Sequence, residues 1–195
     1  LFEASVGGGI PIIRPLQTSL APDEIDEISG ILNGTTNFIL TEMTENGSDF
    51  DSVLKDAQAK GYAEADPTAD VEGYDACRKI AILTSLAYGK QLDFEDIYTE
   101  GITKITDRDI KYAAKLKAKV KIFGSSKLAG DKVSAMVAPK LITHDHPLYS
   151  VDGVFNAILV KGNMVGDVMF YGQGAGKLAT ASAVVSDIME ASENL

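Results

Sequence analysis

Lys79 stands four residues after Asp75 and closes a run of acids, Glu64, Asp66, Asp70, Glu72 and Asp75, in the segment GYAEADPTADVEGYDACRKIAIL. On a helix, i, i+4 spacing lets the ammonium and the carboxylate meet. A partly buried lysine whose protonation is set by desolvation and by carboxylates can act as an acid/base or as a carbonyl-polarising group. A loop that sets Glu64 and Asp70 opposite it can hold a substrate bearing an ammonium. The plain alternatives are a surface ion pair worth about 0.3 kcal/mol and a solvated turn in which Asp70 caps a helix. Five carboxylates also raise the question of Mg²⁺ or Ca²⁺, but their spacing matches no calcium loop.

Two glycine-rich segments are further candidates. In YGQGAGKLATASAVV, Gly174, Gly176 and Ala179 follow a predicted strand and open a predicted helix in the GxGxxA order of a dinucleotide turn. The residues after Gly176 are too few for a βαβ unit, and the P-loop spacing is wrong, with Leu178 in place of Ser or Thr. What remains is a helix N-terminus whose amides can approach a phosphate or carboxylate, or a turn that packs the last helix tightly. In EASVGGGIPI the glycines let the carbonyls of Val6, Gly8 and Ile10 converge near Glu3, as a hard cation requires; a tight turn serves equally. His144 and His146 lack a third soft ligand and precede Pro147, so they read as a polar loop, and Cys77 reads as a small core residue.

The elements that must position these groups follow from periodicity. Residues 74–88, at 100° per residue, place Ala76, Ile80, Leu83 and Ala87 on one stripe and Asp75, Lys79, Ile82 and Leu86 on the next, and no charge follows Lys79. Lys79 therefore lies where a buried helix meets solvent, within a helix over 71–88 that is the longest of the chain. Before it, residues 1–10 read as a short strand ending in glycines, Pro11 opens a short helix, and EIDEISGIL alternates as a strand. Asn33 to Thr36 cap a helix over NFILTEM, and 51–60 form another, stopped by Gly61. A helix over 106–118 starts near Thr106 or Asp107. VKIFGSS, DKVSAMVAP, VDGVFNAILV and MVGDVMFYG are β-rich, with a hairpin turn at Lys161, Gly162 and Asn163 between the last two. A final helix spans about 176–191. The class is α+β, a mixed or largely antiparallel sheet covered by helices.

The chain has 195 residues, 45% of them hydrophobic and 24% charged, with a net charge of −10. One domain with its own core is expected, no apolar run is long enough to span a membrane, and the acidic balance disfavours nucleic acid and anionic lipid. A single cysteine and no signal peptide point to the cytoplasm, and the start at Leu1 reads as a piece of something longer.

Taken in order, EASVGGGIPII, GILNGTTNFIL, GYAEADPTADVEGYDACRKIAIL and GQGAGKLATASAVVSDI resemble the catalytic domain of homoserine dehydrogenase over essentially the whole chain. That family interconverts L-homoserine and L-aspartate 4-semialdehyde with NAD or NADP, on the route to threonine and methionine. The resemblance implies that Lys79 is the catalytic lysine and Asp75 its supporting aspartate. Glu64 and Asp70 would hold the substrate, Glu64 at its amino group, with Tyr62, Thr35 and Gly34 completing the pocket. Gly176, with Gly174 beside it, would contact the cofactor, and Glu3 with the carbonyls of Val6, Gly8 and Ile10 would form a sodium site. It also implies that residues 1–195 are the substrate-binding and dimerisation domain, a homodimer inactive without an upstream Rossmann domain. Two readings from other classes stand beside it: a Schiff-base enzyme of the class I aldolase kind using Lys79, and a binding or dimerisation module without chemistry.

Overall fold

The computed structural model describes residues 1–193. After a 3₁₀ turn at Glu3–Ser5, the elements run α1 (Ile13–Gln17), β1 (Ile25–Ile31), α2 (Gly34–Asn46), α3 (Phe50–Ala59), α4 (Thr68–Val71), α5 (Tyr74–Tyr88), β2 (Tyr98–Thr99), α6 (Asp107–Lys115), β3 (Ala118–Ala129), β4 (Lys132–Thr143), β5 (Phe155–Gly162), β6 (Gly166–Gln173) and α7 (Lys177–Glu193). The six strands form one sheet in the order β2-β4-β3-β1-β5-β6. All pairings are antiparallel except the short β2–β4 contact. The expected α+β class, a mixed sheet covered by helices, is what the chain adopts.

Alternation along the strands divides the sheet into two faces. Ile28, Val120, Ile122, Ile158 and Val160 point to the helical side, against Leu32, Ile39, Ile80 and Leu83. Ile31, Phe123, Ala157 and Leu159 point to the other side, where Leu148 and Val151 cover them. On α5, Ile80 and Leu83 are fully buried, and each such side chain stabilises the fold by about 2 kcal/mol. That burial anchors the helix whose first turns carry Asp75 and Lys79. β1 is flanked on both edges and buried on both faces along its second half, so its alternation fades there.

Several local expectations are corrected. Residues 1–10 form no strand: Gly7 and Gly8 take positive φ, and the carboxylate of Glu3 folds back onto the start of α1. The helix expected over 71–88 is broken at Gly73, which adopts φ 84° between α4 and α5, so the 17-residue α7 is longer than the 15-residue α5. The strap at Gly101 enforces that break, because a Cβ there would lie 2.0 Å from the Val71 carbonyl. The helix begun at Thr106, capped by a reciprocal bond with Asp109, ends at Lys115 rather than at 118, with Lys117 at φ 55°. Lys161 and Gly162 belong to β5, and the turn follows them. Residues 151–154 are not strand, because the Val151 carbonyl is taken by Asn37 and Lys121.

Candidate active site

The first turn of α5 places Asp75 where a carboxylate is favoured by the helix dipole. Its Oδ2 accepts from Lys79 Nζ at 2.7 Å, and the same ammonium donates to the Leu32 carbonyl at 3.0 Å. Leu32 leaves β1, so the lysine spans from helix to sheet. Its side chain is 19% exposed and that of Asp75 30%. This is neither a free surface pair nor a sealed one. A neutral nucleophilic amine, as Schiff-base chemistry needs, would forgo the charge that holds both acceptors.

Next to Leu32, Asn33 caps α2: its Oδ1 accepts from the Thr36 amide at 2.9 Å and from Thr36 Oγ1 at 2.9 Å. Its Nδ2 donates to Asp70 Oδ1 at 2.7 Å and to Asp75 Oδ2 at 2.9 Å. The amide thus ties α4 and α5 to the start of α2. Sequence reasoning found Asn33 only as a cap. The legible signal was its type, since of the usual capping side chains only asparagine keeps an NH₂ to spare.

Thr35 Oγ1 donates to the Tyr62 carbonyl at 2.7 Å, which pins the acidic loop to α2. The Tyr62 ring packs edge-on against Phe38 and is half exposed. Gly34 sits where a Cβ would come within 2.9 Å of the Val154 carbonyl. Glu64 is exposed, and among the described residues no donor reaches its carboxylate; only its main-chain carbonyl is used, by Gln58. Asp66 instead bonds the amide and hydroxyl of Thr68, which hold its carboxyl below the usual range. Asp75, Lys79 and Asp70 are therefore joined through Asn33, Thr35 and Tyr62 are joined to each other, and Glu64 follows Tyr62 by two residues.

The two glycine-rich segments meet each other. A Cβ on Gly8 would lie 2.5 Å from the Gly174 carbonyl, and one on Gly9 2.8 Å from the Ala179 Cβ. Gly174 is buried on Asn156, leaving no room for a side chain, whereas Gly176 is exposed at φ 113° with open space around it at the start of α7. A helix N-terminus with such an open glycine can accept an anionic group. The Glu3 carboxylate is already committed: Oε1 accepts from the amides of Ile12 and Ile13 at 2.6 and 2.8 Å, and Oε2 from Arg14 at 2.8 Å. It caps α1 and has little left for a cation. The carbonyls of Val6, Gly8 and Ile10 differ, since among the described residues no hydrogen-bond donor reaches them. His146 Nδ1 accepts from the Leu148 amide, as a loop residue does, and Cys77 is buried. Among the described residues, no three His, Cys, Asp or Glu are grouped to hold a metal.

One charged cluster escaped sequence reasoning. Lys121 is 1% exposed and donates to Asn37 Oδ1, the Val151 carbonyl and Asp152 Oδ1 at 2.9, 2.7 and 2.8 Å. Lys119 reaches the other oxygen of Asp152 at 2.7 Å. Burial pushes the Lys121 ammonium down from its ordinary value against the pull of Asp152. For Asp152, burial pushes upward, but hydrogen bonds from Lys119 and Lys121 outweigh it and hold the carboxyl below its usual range. The cluster clamps residues 151–155 against α2 at Asn37, one turn after its Asn33 cap.

A family model described as homoserine dehydrogenase matches residues 11–189. The homoserine dehydrogenase of Neisseria gonorrhoeae is 53% identical over 189 residues, 97% of this chain and 43% of that protein. That of Bacillus subtilis is 49% identical over 194 residues, 100% of this chain and 45% of that protein. The crystal structure of a homoserine dehydrogenase from Thiobacillus denitrificans superposes with a TM-score of 0.93 at 49% identity, covering 95% of this chain and 43% of that one. A hyperthermophilic archaeal homoserine dehydrogenase in complex with NADPH superposes with a TM-score of 0.85 at 33% identity, covering 100% of this chain and 56% of that one. The chain spans less than half the length of the curated relatives it matches.

Proposed function

The chain belongs to the homoserine dehydrogenase family, and from that premise we propose that it is the substrate-binding part of an oxidoreductase interconverting L-homoserine and L-aspartate 4-semialdehyde with NAD or NADP. The observation that carries the reading is the bonded series Lys79, Asp75, Asn33 and Asp70, which places one ammonium and two carboxylates at a part-open edge of the core.

The nicotinamide, when bound, supplies the hydride to the aldehyde carbon or takes it from the alcohol carbon. In the reducing direction the oxygen gains negative charge as C4 is attacked, and the Lys79 ammonium donates a proton to it. In the oxidising direction the proton of the substrate hydroxyl returns to Nζ. Asp75 and the Leu32 carbonyl hold Nζ in one place throughout, so that geometry supplies part of the rate. Glu64, whose carboxylate receives no donor among the described residues, takes the substrate ammonium, and Asp70, held by Asn33, assists. The start of α2, where Thr36 is capped but Gly34 and Thr35 lie ahead of it, offers amides and a helix dipole to the substrate carboxylate. Gly176 would lie against the cofactor, with Gly174 setting the turn by packing on Asn156. The carbonyls of Val6, Gly8 and Ile10 would hold a sodium ion, while Glu3 shapes their loop by capping α1.

The partly exposed sheet face around Met169 and Tyr171 supports a homodimer as the working unit, which light scattering would check. The buried, unpaired thiol of Cys77 suits a reducing cytoplasm. Among the described residues no helix is long and apolar enough to cross a membrane.

The test is to assay the complete gene product with L-homoserine and NAD or NADP. Reduction of the nicotinamide that depends on homoserine is expected; a folded product with no such turnover for either cofactor would overturn the assignment.

A further inference from the structure

Asn33 is 5% exposed, and all four hydrogen-bonding positions of its side chain are filled. Its orientation is settled by chemistry. The atom facing the Thr36 amide must be an acceptor, so the oxygen lies there and the NH₂ faces the acids. That NH₂ has two protons: one goes to Asp70 and the other to Asp75, residues 37 and 42 positions away. The Asp75 oxygen it holds, Oδ2, is the one that also accepts Lys79. Each carboxylate is thus gripped by a single oxygen. Among the described residues no donor reaches Asp70 Oδ2 or Asp75 Oδ1, so each carboxylate keeps one oxygen for a further donor.

We infer that Asn33 is a positioning residue for the proposed reaction: a neutral double donor that holds two like-charged carboxylates side by side and aims their free oxygens at the substrate. The inference rests on the functional reading above and goes beyond it. A neutral group is required here. A third carboxylate would repel Asp70 and Asp75, while a cation would compete with Lys79 for Oδ2. A hydroxyl has one proton and cannot serve two acceptors. The cap alone explains none of this, because Ser, Thr and Asp cap helices as well as Asn does. Two functions are therefore combined in one side chain, and they can be separated by substitution.

The experiment uses the complete gene product with Asn33→Ser and Asn33→Asp, both of which keep a capping oxygen, and Asn33→Ala, which does not. A positioning role predicts that kcat/KM for L-homoserine falls about tenfold or more in Asn33→Ser and further in Asn33→Asp. The KM for the nicotinamide cofactor should stay within about twofold, and Asn33→Ser, which keeps the cap, should melt near the parent. Asn33→Ala should lose thermal stability through the cap, and Asn33→Asp through repulsion of its buried carboxylate by Asp70 and Asp75. A capping role alone predicts the reverse order, with Ser and Asp near the parent in kinetics and Ala impaired only through stability; that result would overturn the inference. Should Asn33→Asp fail to fold, Asn33→Ser carries the test. A parent protein without homoserine-dependent turnover would instead bring down the functional reading, and the inference with it.

Discussion

Lys79 and Leu32 are 47 positions apart, yet the ammonium of the first sits 3.0 Å from the carbonyl of the second. The bond turns a pair that could have swung freely on a helix surface into a fixed donor at the end of a central strand. Replacing Lys79 with Ala should lower kcat by about a hundredfold or more, the usual weight of a positioned proton donor. Lys79→Arg should fare little better, because the guanidinium stays charged and its planar fork does not match a site shaped for one ammonium. Steady-state kinetics beside a thermal melt would check this; near-normal turnover in either folded variant would sink the role.

Glu64 is exposed and, among the described residues, its carboxylate receives no donor. Glu64→Gln should leave stability within about 0.5 kcal/mol, as changes at unpartnered surface positions do. The KM for L-homoserine should rise about tenfold, through loss of a charge-assisted bond to the substrate ammonium. A KM unchanged in the variant would remove Glu64 from the pocket.

Asp152 couples stability to pH in a stated direction. Its carboxyl is held below the ordinary 3.8: burial alone would raise it, and the bonds from Lys119 and Lys121 win. A carboxylate with a lowered folded value adds stability that is fully present above pH 3.8 and is lost as pH falls through the folded value. Asp152→Asn should lose about 3 kcal/mol at neutral pH, since Lys121 remains buried with only neutral acceptors. It should also show a shallower further loss below about pH 4 than the parent. Denaturant melts at a series of pH values would show a parallel slope if Asp152 were not responsible.

Glu3 accepts three consecutive amides at the start of α1. Glu3→Gln keeps the shape but removes the charge and turns an NH₂ toward one of those amides. A loss of about 2 kcal/mol is expected. Because the carboxylate is spent on α1, any response of activity to sodium should survive the change. A variant as stable as the parent, or one that loses its sodium response while remaining folded, would count against this division of labour.

Much of the local structure was legible in the residues themselves. The Asp75–Lys79 pair, the Asn33 cap, the Thr106 start, the buried stripe of Ile80 and Leu83 and the long hairpin strands all depend on neighbours within a few positions. Helical and strand periods make such neighbours predictable. The breaks at Gly73 and the fold-back of residues 1–10 were not legible. Gly73 turns where the Gly101 strap crosses, and Glu3 answers to amides across a glycine turn. The candidate site divides in the same way. The kinds of residue were readable from the chain, as was the helical turn shared by Asp75 and Lys79. That Asn33 holds both acids, that Gly8 rests on Gly174, that Lys121 locks residues 151–155 to α2, and that β1 lies between β3 and β5 were decided by tertiary structure. The reason is physical: short-range order follows from bond geometry and periodicity, whereas these contacts join segments far apart in the chain and exist only once the sheet and helices have closed on a common core.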